Sequence, residues 1–399
     1  SPTNDNAQPF GSLADVPTND YTDPNFLAGS QYAAGSFVDP AFLGGLNLSN
    51  GALFEEEDNL EEYVTANYDV SEDVVAGYVM TSQQLTKKLS VLAGLRIENT
   101  KITALGNSFD VDEEVITPLE DESSYTNLLP GVHFKYDVTP KTVLRFAWTN
   151  TLARPNYIDL VPFEEIVRED EEIVRGNSNL EPTRSMNFDI MAEYYFNSIG
   201  ILSGGVFYKN IKDFVYTQIG EQQGGEFDGF ETFQPLNGDN ASVTGFEVAY
   251  QRQLDFLPGF AKNFGIYLNY TYLNSKANGI TNEDGDERGD LELPGAAPNM
   301  FNASLGYSGE RFTARLSANF SDAYIDELGG NDFEDRYYDQ QFFLDFNTTF
   351  AINKNLRIYA DLNNITNQPL RYYQGIRART QQVEFYERRL TFGLKYDLF

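Results

Sequence analysis

The sequence predicts an all-β fold: a transmembrane antiparallel β-barrel. Three observations predict it. Aromatic residues are abundant, with 25 Tyr and 31 Phe in 399 residues, and they stand among Gly, Asn, Asp and Thr rather than among helix formers. Apolar and polar residues alternate with period two in run after run, which sends one set of side chains to each face of a strand. The connections between runs are short and long in turn, as in barrels with tight turns on one rim and tall loops on the other.

Runs near 73–84 open the series. Leu89, Val91, Ala93, Leu95 and Ile97 follow, opposed by Ser90, Gly94, Arg96 and Glu98. Val132, Phe134, Tyr136 and Val138 oppose His133, Lys135 and Asp137, and Leu144, Phe146 and Trp148 oppose Arg145, Ala147 and Thr149. Less regular runs lie near 185–196, 201–216 and 242–254. Ile266–Tyr272, Phe301–Tyr307, Phe312–Phe320, Phe342–Phe350 and Ile358–Leu362 restore the alternation. The last run sets Leu390, Phe392, Leu394, Tyr396 and Leu398 against Arg389, Thr391, Gly393, Lys395 and Asp397. Thirteen strands are expected, each long enough to cross a bilayer at a tilt. No apolar run is long enough for a transmembrane helix, which a barrel does not need. The decisive expectation is that Leu390, Phe392 and Leu394 lie on the outer wall.

Short connections fall at Thr86–Lys88, Val138–Lys141, Asn197–Gly200, Asp255–Asn263, Ser308–Arg311 and Asn353–Asn355. Long ones run over about 104–124, 155–184, 217–241, 277–298, 324–340 and 367–386. Ser1–Val70, with 12 acidic residues and no Lys or Arg, reads as a separate acidic extracellular segment, with a short helix expected over Leu53–Val64.

The formal net charge of −32 excludes a nucleic-acid partner, since phosphate neutralisation needs clustered cations. With no Cys and His133 alone, disulfides, thiolate sites and multi-histidine zinc sites are excluded. No G-x-S-x-G elbow, P-loop or H-E-x-x-H motif is present, so no enzyme activity and no resident cofactor are expected. Asn282, Asp284 and Asp286 alternate like the start of a calcium loop, but Glu287 stands where such a loop has Gly. They are kept as a candidate calcium site. Tyr157, Phe163, Phe230, Tyr324, Tyr337 and Tyr372 are the candidate ligand-binding aromatics of the external loops; the competing reading is that they pack the loops together.

Local signatures add a resemblance. The stretches Ala147-Trp148-Thr149-Asn150-Thr151-Leu152-Ala153-Arg154-Pro155-Asn156-Tyr157 and Gly176-Asn177-Ser178-Asn179-Leu180-Glu181-Pro182-Thr183-Arg184-Ser185 are similar to strand-exit segments of TonB-dependent outer-membrane receptors. Val206–Phe214 and Asp361–Asn367 resemble that family's following and penultimate strands, and the order matches over about 70–399. Terminal Phe399 resembles the assembly signal read by the barrel assembly machinery. The resemblance implies a 22-stranded barrel filled by an N-terminal plug, with a TonB box ahead of the plug. Neither plug nor box is visible here, so residues 71–399 read as C-terminal barrel strands. It further implies active uptake of a scarce nutrient (siderophore-iron, a vitamin, an oligosaccharide or a peptide) across the bacterial outer membrane. The implied partners are the N-terminal plug and barrel part, the TonB complex, the barrel assembly machinery and outer-membrane lipid. Two rival readings are a passive porin-type channel and a structural or adhesion component of an outer-membrane complex.

Overall fold

The computed structural model describes residues 16–22, 35–50, 54, 60, 63–64, 67–110, 115–289 and 291–398. The chain divides into two compact units, Ser1–Tyr63 and Val64–Phe399. In the first, Thr18–Asp20 pairs with Ser36–Val38, and the edge of Tyr21 meets Phe37. A single helical turn over Pro40–Gly44 is capped by the Asp39 carboxylate, which accepts from the Ala41 and Phe42 N–H groups. The helix expected over Leu53–Val64 falls mostly outside the described residues.

The second unit is a β wall. Its strands are β1 (Asp69–Gln84), β2 (Leu89–Asp110), β3 (Val115–Thr139), β4 (Thr142–Ala153), β5 (Thr183–Tyr195), β6 (Gly200–Lys212) and β7 (Asn240–Gln253). They continue as β8 (Phe264–Ala277), β9 (Asn299–Ser308), β10 (Phe312–Ser321), β11 (Gln341–Ala351), β12 (Leu356–Asn363) and β13 (Arg389–Tyr396). Each pairs antiparallel with the next in chain order. The strand order is that of a barrel, with β13 beside β1. Residue-by-residue registers, however, join β1 to β2 and β13 to β12, and none joins β1 to β13 among the described residues. No described helix is long and apolar enough to cross a membrane.

Register turns the alternation into two surfaces. On one face Phe146 lies beside Ile190, Ile190 beside Val206, and Val206 beside Phe246. The same face carries Phe301 beside Phe320, Phe320 beside Phe342, and Ile358 beside Leu394. Within these sets of strands the apolar face continues from one strand to the next. Leu390, Phe392 and Leu394 are 69%, 70% and 67% exposed, as an outer wall requires and a dry protein core does not. The opposite face is polar. Arg145 pairs with Glu193 at 2.8 Å, and Asn347 donates to Asp361 at 2.9 Å. His133 registers with Leu92 and Ala147 on this inner face.

Two departures from the sequence reading concern the loop rim. The connection expected over 104–124 is mostly strand: β2 and β3 run 22 and 25 residues and stay in register from Leu89–Tyr136 to Asp110–Val115. The connections over 155–184, 217–241, 324–340 and 367–386 also contain short strands, whereas 277–298 carries only isolated bridges among the described residues. These strands form local hairpins that are joined to distant segments, and each is too short to show the repeat that marks a wall strand.

Candidate ligand-capture site in the external loops

The loop after β4 is fastened to the inner wall from its first residue. Arg154 pairs with Glu72 of β1 at 2.9 Å and with Glu98 of β2 at 2.5 Å. Glu98 also accepts from Arg96. Leu160 and Leu180 then cover Ile102 and Tyr125, which lie on the same face as Glu98 and Thr100. Ser178 donates to Asp121, and Arg184 donates to Asn127 at 2.9 Å. The loop therefore folds over the polar face instead of standing free in solvent.

Neighbouring loops are zipped to it. Glu164–Ile166 pairs in parallel with Ser108–Asp110, and Glu172–Val174 pairs in parallel with Glu231–Phe233. Phe214, Tyr216, Ala241, Ala277, Ile280, Leu291 and Ile325 form a buried cluster that unites three further loops. Beside it, Arg288 donates to both carboxylate oxygens of Asp335 at 3.0 and 2.6 Å and reaches Asp332 at 2.6 Å. A four-stranded external sheet is ordered Tyr324–Glu327, Arg336–Tyr338, Leu370–Gln374, Thr380–Glu384. Its Ile325, Tyr337 and Tyr373 face the buried cluster, with Tyr337 and Tyr373 stacked at 5.0 Å. Burial pushes the Tyr337 hydroxyl above its ordinary pKa, with nearby Asp335 adding to the shift.

The joined loops leave a cavity of about 700 Å³. Arg154, Asp159, Phe233, Pro294, Asp326 and Glu327 are among the residues lining it. Its two neighbouring carboxylates, Asp326 and Glu327, are both paired with Arg336, at 2.6 and 2.8 Å. The chamber combines aromatic and proline walls with a few charged groups, the make-up of a small-ligand site.

Most of the predicted aromatics pack within the loops. Tyr157 is exposed, and its hydroxyl donates to Glu72 at 3.2 Å. Phe163 lies against Gly176, where an added Cβ would meet the Val161 carbonyl oxygen at 1.9 Å and the Phe163 ring at 3.1 Å. Phe230 packs on Phe227 at 5.4 Å. Tyr324, Tyr337 and Tyr372 all join the external sheet. Asn282 accepts the Asp286 N–H at 2.8 Å and returns its own N–H to the Asp286 carbonyl, so these two close a turn on themselves. No group of three or more His, Cys, Asp or Glu placed to hold a metal ion occurs among the described residues. Phe399 lies outside the described residues. Arg288, Asp335 and Arg336 carry no sequence signal, because their partners are set by how separate loops meet.

An antiparallel wall with an apolar outer belt, a polar inner face and knitted loops on one rim is that of a transmembrane β-barrel. The chain belongs to the TonB dependent receptor-like β-barrel family, whose model matches residues 2–365. The family's members are outer-membrane receptors and transporters. No curated protein matches the chain. Among solved structures it is similar to the copper transporter OprC, at 14% identity and a TM-score of 0.60, over 82% of this chain and 48% of that one. It is also similar to the ferric yersiniabactin uptake receptor FyuA from Yersinia pestis, at 15% identity and a TM-score of 0.58, over 83% and 46%. The ferric citrate transporter FecA matches at 15% identity with a TM-score of 0.58, over 82% and 45%. The chain thus spans about half the length of these structures.

Proposed function

We propose that this chain forms much of the barrel wall and the capture loops of a receptor that draws a scarce nutrient across the outer membrane, driven by the inner-membrane proton gradient through TonB. The observation that supports the reading is the pairing of an exposed apolar outer face with a cavity among the joined loops, in a chain of this receptor family. A wall in lipid cannot leave strand edges unpaired, because each unsatisfied backbone group costs several kcal/mol. In this reading β1 and β13 are completed by further strands of the same receptor, which also supplies the plug and its TonB contact. Loops bolted together by the Arg288–Asp335 pair suit capture better than free diffusion, so the passive-channel reading is not favoured.

The test is uptake by cells with and without the complete receptor, supplied in turn with ferric chelates, vitamins, oligosaccharides and peptides. Receptor-dependent accumulation should stop when a protonophore collapses the gradient or when TonB is deleted. Accumulation that continues unchanged under both treatments rejects the reading in favour of a passive pore.

A further inference from the structure

Arg252 stands on the outer face of the wall, at the end of β7 where the chain turns towards β8. It shares that face with Phe246, Val248 and Tyr250, and its register partner on β8 is Ile266. A cation among lipid-facing residues is costly at the midplane and tolerated only near the boundary with water.

Two rings hold this cation. The guanidinium carbon lies 4.3 Å from the centroid of Phe196 and 4.5 Å from that of Phe256. Gly200 leaves room for the arrangement: a Cβ there would come within 3.1 Å of both the Phe196 ring and the Arg252 Cα. Ring faces attract the charge but accept no hydrogen bond in the guanidinium plane. Among the described residues no ion pair or hydrogen bond engages the Arg252 side chain, and neither Nη atom is sealed from the surroundings. The one carboxylate of the turn, Asp255, instead accepts from Ser198 at 3.1 Å. The turn's other charge is the exposed Lys262.

The surroundings are aromatic. Phe196 meets Tyr194 and Tyr250 edge-on at 5.2 and 6.0 Å, and Phe260 meets Phe264 at 6.3 Å. Phe256 and Phe260 are 60% and 72% exposed, so the turn presents two uncovered rings beside a guanidinium with free donors. Aromatic bands border the apolar belt of barrels in general; an unpaired guanidinium clamped within the band does not follow from that rule. The free fork of N–H donors matches the oxygens of a phosphate. Inorganic phosphate would leave the rings uncovered. A phospholipid carries its phosphate and its apolar chains on one molecule and stands against this same face.

We propose that Arg252, Phe196, Phe256 and Phe260 form a docking site for one phospholipid of the leaflet on the short-turn side. Its phosphate accepts from the Arg252 Nη atoms, and its acyl region covers the exposed rings. The proposal needs only that this wall stands in lipid; it does not depend on the capture reading.

The complete receptor in detergent micelles is titrated with dioleoylphosphatidylglycerol, and bound lipid is read by native mass spectrometry. Dioleoylglycerol, which lacks the phosphate, and inorganic phosphate alone are the comparison probes. The first phospholipid adduct is held about tenfold more tightly than dioleoylglycerol, the worth of a charge-assisted hydrogen bond, and inorganic phosphate is not retained. Arg252→Gln removes that tenfold advantage, whereas Lys87→Gln, on a different short turn, leaves it unchanged. Phe256→Leu weakens the adduct about threefold through loss of one ring contact. Heat-resistant migration of the barrel checks folding, and Phe256→Leu serves if the Arg252 variant fails that check. Equal affinity for dioleoylglycerol, an adduct indifferent to both substitutions, or the same loss in Lys87→Gln overturns the proposal. So does inorganic phosphate retained with the same dependence on Arg252, or a receptor dimer that forms in place of the adduct and comes apart in Phe256→Leu.

Discussion

Gly393 registers opposite Tyr359, and the tyrosine ring occupies the space a side chain there would need: a Cβ would lie 2.6 Å from its atoms. Gly393→Ala should therefore destabilise the barrel by about 1–3 kcal/mol, and Tyr359→Ala in the same chain should remove most of that penalty. Thermal unfolding of the four members of the cycle tests this coupling. Asp335 is 1% exposed at its side chain and Arg288 is 5% exposed. Arg288→Met would strand a buried carboxylate, at a cost of about 3–5 kcal/mol to the loops it joins. Limited proteolysis should then cut within 278–340 while the wall strands stay protected. Glu231 responds to pH. Burial, then the nearby Glu172, Glu334 and Glu283, raises its pKa above the ordinary 4.5. Below 4.5 the folded and unfolded chains both hold the proton, and the group contributes no difference. As pH rises through the interval up to the raised value, the unfolded chain deprotonates first and the folded loop loses stability. Glu231→Gln should match the parent below that interval and exceed it above, by roughly a few tenths of a kcal/mol after solvent screening. Hydrogen exchange across 231–237, compared on the two sides of the interval, reads the difference.

At the scale of elements, the two faces of β13 should respond oppositely to the same change. Phe392→Arg puts a cation into the lipid belt, at a cost of about 2–4 kcal/mol near the midplane. Thr391→Arg puts it on the inner face and should be tolerated. The amount of each variant recovered as folded, heat-resistant barrel distinguishes the two outcomes. The wall was legible because register is dictated locally: one face must meet oil, so a slip of one residue would invert Leu390, Phe392 and Leu394 together. The loop strands were not legible for the opposite reason. Glu172–Val174 is a strand because Glu164–Val167 folds back on it and Glu231–Phe233 arrives on its other side, and short segments carry no period of their own. The candidate aromatics were found one by one. Which of them meet, Tyr338 with Tyr372 or Tyr337 with Tyr373, depends on the pairing of segments more than thirty residues apart, which composition does not encode. The tall β2–β3 hairpin was missed because its upper half alternates poorly and reads as loop.

For the molecule as a whole, function is divided between a wall that lipid shapes and a rim that loop packing shapes. The strand order sets β13 beside β1, yet among the described residues each carries a residue-by-residue register on one side only, and in the proposed receptor further strands complete them. The 399-residue chain produced alone should therefore give little heat-resistant barrel, and the complete receptor should give much more. Equal yields of folded monomer would show that these strands close on themselves.

The hairpin of β2 and β3 has one more consequence. A bilayer takes about 9–11 residues of each strand. The remaining residues of β3, at about 3.4 Å apiece, extend some 50 Å farther along the strand direction. That places a spar on the rim, with Glu164–Ile166 paired along its upper end. Whatever approaches the cell from outside, whether nutrient, antibody or phage, would touch this spar before it reached the mouth.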